Sequence, residues 1–260
     1  MNFKTSLTVN GRYWVNRLNY TIAKITRRFI YKVVHIVLTN LDLPAAIASV
    51  KSSAEFEKKN LLDVPYFKTR EKLYAFCLEQ ASDDGLHLEF GTYKGDSINI
   101  MANLQPHTHF TGFDSFTGLP ERWTVGAKKG AFDIGGVLPN VRDNVTLVKG
   151  FFEDSLPGYC EENATKKVAF IHDDCDLYSG TITIFENLRP MMQHGTIIVF
   201  DEYYNYTDWL DGEYKAFAEF TKKYKVKFEY IGYIRENGQV AVRITDIPES
   251  KQQPHTVKHP

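Results

Sequence analysis

From Leu86 onward the chain alternates short apolar runs with longer amphipathic or loop-like stretches. The runs Leu86 to Phe90, Phe110 to Phe113, Val145 to Val148, Val168 to Ile171 and Thr196 to Phe200 are rich in β-branched and aromatic residues, and their spacing predicts a βα rhythm and a parallel sheet. The last two runs, Phe228 to Ile234 and Gln239 to Ile244, are joined by Arg235-Glu236-Asn237-Gly238, where Asn-Gly favours a tight antiparallel hairpin. The expected fold is α/β: a mostly parallel, seven-stranded sheet ending in an antiparallel hairpin. Ahead of it, Leu18, Ile22, Ile25, Phe29, Val33 and Ile36 recur at helical spacing with Lys24, Arg27, Arg28 and His35 on the other side, which predicts a basic amphipathic helix. The pattern breaks at Leu43-Pro44. A polar stretch then leads to Thr69, an N-cap for a helix with Leu73, Phe76 and Cys77 as its stripe, stopped by Asp83-Asp84-Gly85.

Charge sharpens this division. Lys4, Arg12, Arg17, Lys24, Arg27, Arg28 and Lys32 all precede the first acidic residue, Asp42. The expected organisation is a basic helical segment over 1–68, a catalytic domain over 69–248 and a frayed tail over 249–260. The basic helix has two readings: packing on its own domain or on a second subunit with a solvated basic face, or contact with a membrane surface. The hydrophobic content of 43% supports a packed core, and a net charge of -1 gives no ground for nucleic-acid binding. Cys77, Cys160 and Cys175 form an odd, scattered set, arguing against a disulfide framework or a zinc site. With neither a bilayer-length apolar run nor a signal-peptide pattern, the expected location is cytoplasmic.

Chemistry-bearing residues gather where predicted strands end. Glu89-Phe90-Gly91-Thr92-Tyr93-Lys94-Gly95-Asp96-Ser97 places a G-x-x-x-G turn between a strand and a helix, where glycine lets backbone approach a ligand; the spacing is not that of a dinucleotide loop. Asp114 ends the second strand, where a carboxylate can accept hydrogen bonds from a ribose diol, or else cap a turn. Ser115 follows it. Gly150-Phe151-Phe152-Glu153-Asp154-Ser155 offers aromatic and small polar groups for an adenine ring, although both phenylalanines suit a core equally. Two acid clusters end adjacent strands: His172-Asp173-Asp174-Cys175-Asp176 and Asp201-Glu202. Crowded carboxylates repel one another, so a hard cation such as Mg²⁺ is the economical reading, with capping and salt bridges as the alternative. His172 alone reads as a satisfied core histidine, and Cys175 as a small filler.

Together, Leu88-Glu89-Phe90-Gly91-x-Tyr93-x-Gly95-x-Ser97, Gly112-Phe113-Asp114-Ser115-Phe116-x-Gly118-Leu119-Pro120-Glu121, Gly150-x-Phe152-x-Asp154-x-Leu156-Pro157 and Asp174-x-Asp176-Leu177-Tyr178 resemble the macrocin O-methyltransferase family over roughly residues 86 to 244. The resemblance implies a Rossmann-like class I methyltransferase fold, S-adenosyl-L-methionine as methyl donor, and Mg²⁺-dependent O-methylation of a sugar or glycosylated small molecule. It implies Asp174 as metal ligand and general base, with Asp201 and Glu202 completing the metal site. The residues read as cofactor contacts are Glu89, Gly91, Tyr93, Gly95, Ser97, Asp114, Ser115, Phe152, Glu153 and Asp154. His172 is a second candidate proton acceptor. Asp176 reads as orienting the helix that follows. Glu202 and Asp173 depart from the family pattern, which usually has Asp and an apolar residue there. The glycine-bearing stretch from Leu119 to Asn144, with Trp123, Gly126, Gly130, Gly135 and Gly136, reads as a substrate lid or a structural excursion. Two other classes stay open: an Asp-x-Asp nucleotide-sugar glycosyltransferase, which leaves the glycine loop and Asp114 without roles, and a non-catalytic scaffold.

Overall fold

The computed structural model describes residues 26–27, 42–124 and 127–249. Apart from Thr26 and Arg27, which are helical, the basic amphipathic helix expected near the N-terminus lies outside the described residues, as do Gly126 and the tail after Glu249. The chain divides into two compact units, 1–48 and 49–260, and the sheet belongs to the second.

Seven strands form that sheet in the order β3-β2-β1-β4-β5-β7-β6: β1 Leu86–Phe90, β2 Phe110–Asp114, β3 Val145–Lys149, β4 Val168–Asp173, β5 Ile197–Phe200, β6 Lys227–Ile234 and β7 Gln239–Asp246. The first five are parallel, and β7 runs antiparallel to both β5 and β6. That is the expected sheet, hairpin included. Gly238 completes the turn at φ +74, where a side chain would collide with the Tyr204 carbonyl.

Helices cover both faces. On one, α4 (Phe152–Glu162), α5 (Tyr178–Leu188) and α6 (Glu213–Tyr224) pack on Leu88, Phe90, Phe113 and Phe200. On α5 the buried positions Thr181, Ile184, Phe185 and Leu188 follow the i, i+3, i+4, i+7 rule, and Glu213, Ala216, Phe217 and Phe220 do the same on α6. Each large apolar side chain taken from water in this way contributes about 1.5–3 kcal/mol. On the other face, α2 (Arg70–Leu78) and α3 (Asp96–Leu104) bury Leu73, Tyr74, Ile98 and Met101 against Phe110, Phe170 and Val199. Thr69 occupies the N-cap of α2 as expected, without a side-chain cap hydrogen bond.

The boundary at the start of the domain differs from expectation. A helix, α1, spans Asp42–Asn60 straight through Leu43-Pro44. Proline in a first turn costs nothing, because the N–H it lacks has no helical partner there. Phe56 and Leu61 belong to the sheet's core, so the compact unit begins at 49, earlier than the 69 read from the polarity of this stretch.

Candidate active site

The strand ends converge through the ladder itself. One residue beyond each strand, a backbone N–H still reaches its neighbour: Gly150 donates to the Asp114 carbonyl, Gly91 to Phe113, Asp174 to Phe90 and Asp201 to Asp173, each at 2.9 Å. Parallel register thus sets the loops after β1, β2, β3, β4 and β5 side by side at the carboxyl edge, where open α/β sheets bind ligands. A cavity of about 300 Å³ lies there, bounded on the other side by Leu119, Pro120, Trp123 and Phe132 of the long excursion.

The residues singled out from the sequence fall into two groups. Gly91, Tyr93, Asp114, Ser115, Phe152, Glu153, Asp174, Asp201 and Glu202 line the cavity. Glu89, Gly95, Ser97, Asp154 and His172 do not. Gly95 is the left-handed N-cap of α3, and a side chain there would press on Val141 at 3.2 Å; Ser97 is buried one residue inside the helix; Asp154 is exposed in the first turn of α4.

Asp114 is held by two backbone donors, Tyr93 N–H to Oδ2 and Phe116 N–H to Oδ1, both at 2.7 Å. These bonds fix the carboxylate and staple the glycine loop to the end of β2. Each oxygen keeps a second lone pair for a ligand hydroxyl. Flat faces stand nearby: Phe152 meets Phe90 edge-on at 5.5 Å, and Tyr93 meets Phe132 edge-on at 5.6 Å. Gly91 at φ +91 lets the β1 loop lie against the β4 loop, since an added Cβ would fall 1.7 Å from the Asp174 carbonyl oxygen.

The acids are closer than capping would require. Carboxylate oxygens of Asp174, Asp176 and Glu202 lie within 4.8 Å of one another, and ligand atoms of His172, Asp174 and Asp201 meet the same limit. Burial, followed by the charges of Asp201 and Glu202, pushes the Asp174 carboxyl well up. Burial followed by Asp201 does the same to Glu202, and Asp176 is pushed to about 7 by burial and the neighbouring carboxylates. Asp201 goes the other way: burial opposes its charge, but His172 and Gln239 hold it low. Glu202 Oε2 is buried without a hydrogen-bond partner among the described residues. The all-oxygen donor set of Asp174, Asp176 and Glu202, their mutual repulsion and the orphaned Glu202 oxygen fit a small hard divalent cation.

Two contributors, Arg70 and Glu213, were not visible in the sequence, and a third, Asp176, has a place beyond the helix-orienting one read there. Arg70, at the first position of α2, lines the cavity beside Asp174 and Asp201. Asp176, at φ +66, faces the cavity and joins the acid cluster in addition to leading into α5. Glu213 is fully buried at the start of α6 and accepts the Glu202 N–H at 3.2 Å, fixing the loop after β5. Only Asp176 carried a local signal, its place in Asp-x-Asp. The excursion is docked by Ser179 donating to Glu121 at 2.5 Å and by Trp123 lying 6.0 Å from the Tyr206 ring.

Residues 88–203 match the family model described as a methyltransferase domain. That match covers under half of the chain, and the sheet order and the glycine loop are in keeping with it. The chain is similar to the 8-demethyl-8-(2,3-dimethoxy-alpha-L-rhamnosyl)-tetracenomycin-C 4'-O-methyltransferase of Streptomyces olivaceus, at 31% identity over 49% of this chain and 58% of that protein. The matched region therefore spans a little over half the length of this relative. Among solved structures, the fold is like that of CalS11, a calicheamicin methyltransferase (TM-score 0.54, 23% identity, 66% of this chain and 76% of that one). It is also like the O-methyltransferase NovP (TM-score 0.50, 20% identity, 68% and 80%).

Proposed function

We propose that this protein is an S-adenosyl-L-methionine-dependent, Mg²⁺-dependent O-methyltransferase acting on a hydroxyl of a sugar or glycosylated small molecule. The observation that carries the reading is the meeting, in one cavity, of the Gly91/Asp114 cradle with the Asp174, Asp176, Asp201 and Glu202 carboxylates. Asp114 would take the ribose hydroxyls, and Tyr93, Phe151 and Phe152 would flank the adenine. When bound, the cofactor supplies an electrophilic methyl, and Mg²⁺ held by Asp174, Asp201 and Glu202 makes a hydroxyl more acidic. Asp174 would accept the hydroxyl proton as the acceptor oxygen takes the methyl group, with the demethylated cofactor as leaving group. Arg70 moderates the charge of the acid cluster, and Trp123, Phe132 and Leu119 exclude water from the acceptor. The relative's printed rhamnosyl 4'-O-methylation supports a sugar hydroxyl as acceptor. A glycosyltransferase reading gives no task to the Tyr93–Asp114–Phe116 clamp.

The test is a labelled-methyl transfer screen against sugars, nucleotide sugars and phenolic glycosides, with and without EDTA. Chelation should abolish transfer and leave S-adenosylhomocysteine affinity within about twofold; added Mg²⁺ should restore transfer and raise Tm. Full transfer in EDTA would refute the metal requirement. Separately, Asp114→Ala should weaken S-adenosylhomocysteine binding by roughly tenfold or more, about 1.5–3 kcal/mol, because alanine replaces neither the ligand bonds nor the two backbone clamps. Calorimetry on the folded variant checks it, and unchanged affinity removes Asp114 from the cofactor site.

A further inference from the structure

Glu89 and His172 are an ionisable pair that sits behind the cavity without lining it. They are Cα partners across the β1–β4 ladder, so both side chains leave the same face of the sheet, under α2. Both are fully buried. His172 Nδ1 lies 3.0 Å from Glu89 Oε1. Its Nε2 lies 3.0 Å from the Tyr74 hydroxyl and 3.7 Å from Asp201 Oδ1. The same Asp201 oxygen accepts a short hydrogen bond from Gln239 Nε2, another fully buried side chain. The Tyr74 ring meets the imidazole edge-on at 5.0 Å, fixing its plane.

We propose that Glu89, His172, Tyr74 and Gln239 form a positioning scaffold that grips Asp201 through Oδ1 and so presets the metal site. Glu89 then does not bind the cofactor, and His172 is not the proton acceptor. Three observations carry this. Neither residue reaches the cavity, both imidazole nitrogens are engaged, and the chain of contacts ends on a carboxylate that does line the cavity. A buried carboxylate with no fixed partner would swing or take up a proton, whereas one hydrogen-bonded by an amide and facing an imidazole at 3.7 Å stays oriented toward an ion. Ring orientation by a hydrogen bond on the far nitrogen is the usual arrangement behind metal-binding groups. Here the arrangement stands one residue further back, behind a carboxylate. The scaffold rests on the metal requirement of the proposed function.

The two histidine replacements separate the roles. His172→Gln keeps an amide donor near the place of Nε2, while His172→Asn keeps one near Nδ1 and loses the reach to Asp201. Mn²⁺ binding is titrated by electron paramagnetic resonance in wild type, both variants and Glu89→Gln, with S-adenosylhomocysteine affinity measured in each as a check on the fold and the cofactor loop. The expected result is tenfold or greater loss of Mn²⁺ affinity in His172→Asn, within about threefold of wild type in His172→Gln, and cofactor affinity unchanged throughout. Methyl transfer by His172→Asn should recover most of its kcat at saturating metal. Equal Mn²⁺ affinity in all proteins overturns the scaffold. So does lost cofactor affinity in a folded Glu89→Gln, which returns Glu89 to the cofactor site, or a kcat in both histidine variants that no metal concentration restores, which makes His172 the base. Should wild type bind no Mn²⁺ at all, the metal requirement itself falls.

Discussion

Asp174→Asn should lower methyl transfer by roughly a hundredfold to ten-thousandfold, the range in which a positioned proton acceptor contributes, while leaving S-adenosylhomocysteine affinity nearly unchanged. The substitution is isosteric, so the backbone bond from Asp174 N–H to the Phe90 carbonyl survives and the loop should keep its course. What disappears is one negative charge in the acid cluster and the basic oxygen beside the acceptor. Because that cluster repels itself when no cation is present, the apo variant should be as stable as wild type or more so, and should gain less in Tm from Mg²⁺. Lower activity with a higher apo Tm is a signature that general damage does not produce. Asp176→Asn tests the same cluster from its other side. A residue that only leads into α5 would tolerate the change, but Asp176 lies within 4.8 Å of Asp174 and Glu202, so its loss should raise the Mg²⁺ concentration needed for half-maximal activity. Measuring activity against Mg²⁺ for wild type and both variants decides the matter. An Asp174→Asn enzyme retaining more than a tenth of wild-type kcat would remove Asp174 as the base.

The sheet was legible in the sequence because its strands are rich in β-branched, aromatic and leucine residues, and the central strands β4 and β5 are buried along their whole length. The acid clusters were legible for a related reason: carboxylates directly following such runs must sit at the sheet's edge. What lies across the chain was not. Glu89 stands next to the glycine loop and reads as a ligand group, yet strand alternation turns it to the opposite face from Phe90, onto a histidine 83 residues away. Arg70 and Tyr74 enter the site region only through the packing of α2, which no local pattern announces. The extent of α1 was not legible because the helix spends most of its surface in water: its polar composition hides the apolar contact of Phe56 that ties it to the core.

Gly91→Ala and Gly130→Ala share the same backbone problem but differ in their surroundings, and the comparison should expose the cradle. Both glycines hold positive φ, +91 and +82. An alanine in that region costs about 1–2 kcal/mol on backbone grounds alone. At Gly130 nothing among the described residues lies within 4 Å of an added Cβ, so that strain is the whole expected loss. At Gly91 the Cβ would fall 1.7 Å from the Asp174 carbonyl oxygen and 3.3 Å from Cys175 Cα, and both obstacles are backbone. Relief requires the β1 and β4 loops to separate. Overpacking of this kind adds roughly 1–3 kcal/mol, for a total near 3 kcal/mol or above. Separation would also pull the Asp174 N–H from the Phe90 carbonyl and carry the Asp174 carboxylate away from Glu202 and Asp201. Gly91→Ala should therefore lose stability, S-adenosylhomocysteine binding and the Mg²⁺-induced rise in Tm together, each by more than about tenfold in its own equilibrium constant. Gly130→Ala should lose only the modest stability term and bind both ligands as wild type does. Thermal melts with and without each ligand make the comparison; a folded Gly91→Ala protein with wild-type affinity for both would show that the two loops can part without disturbing the site.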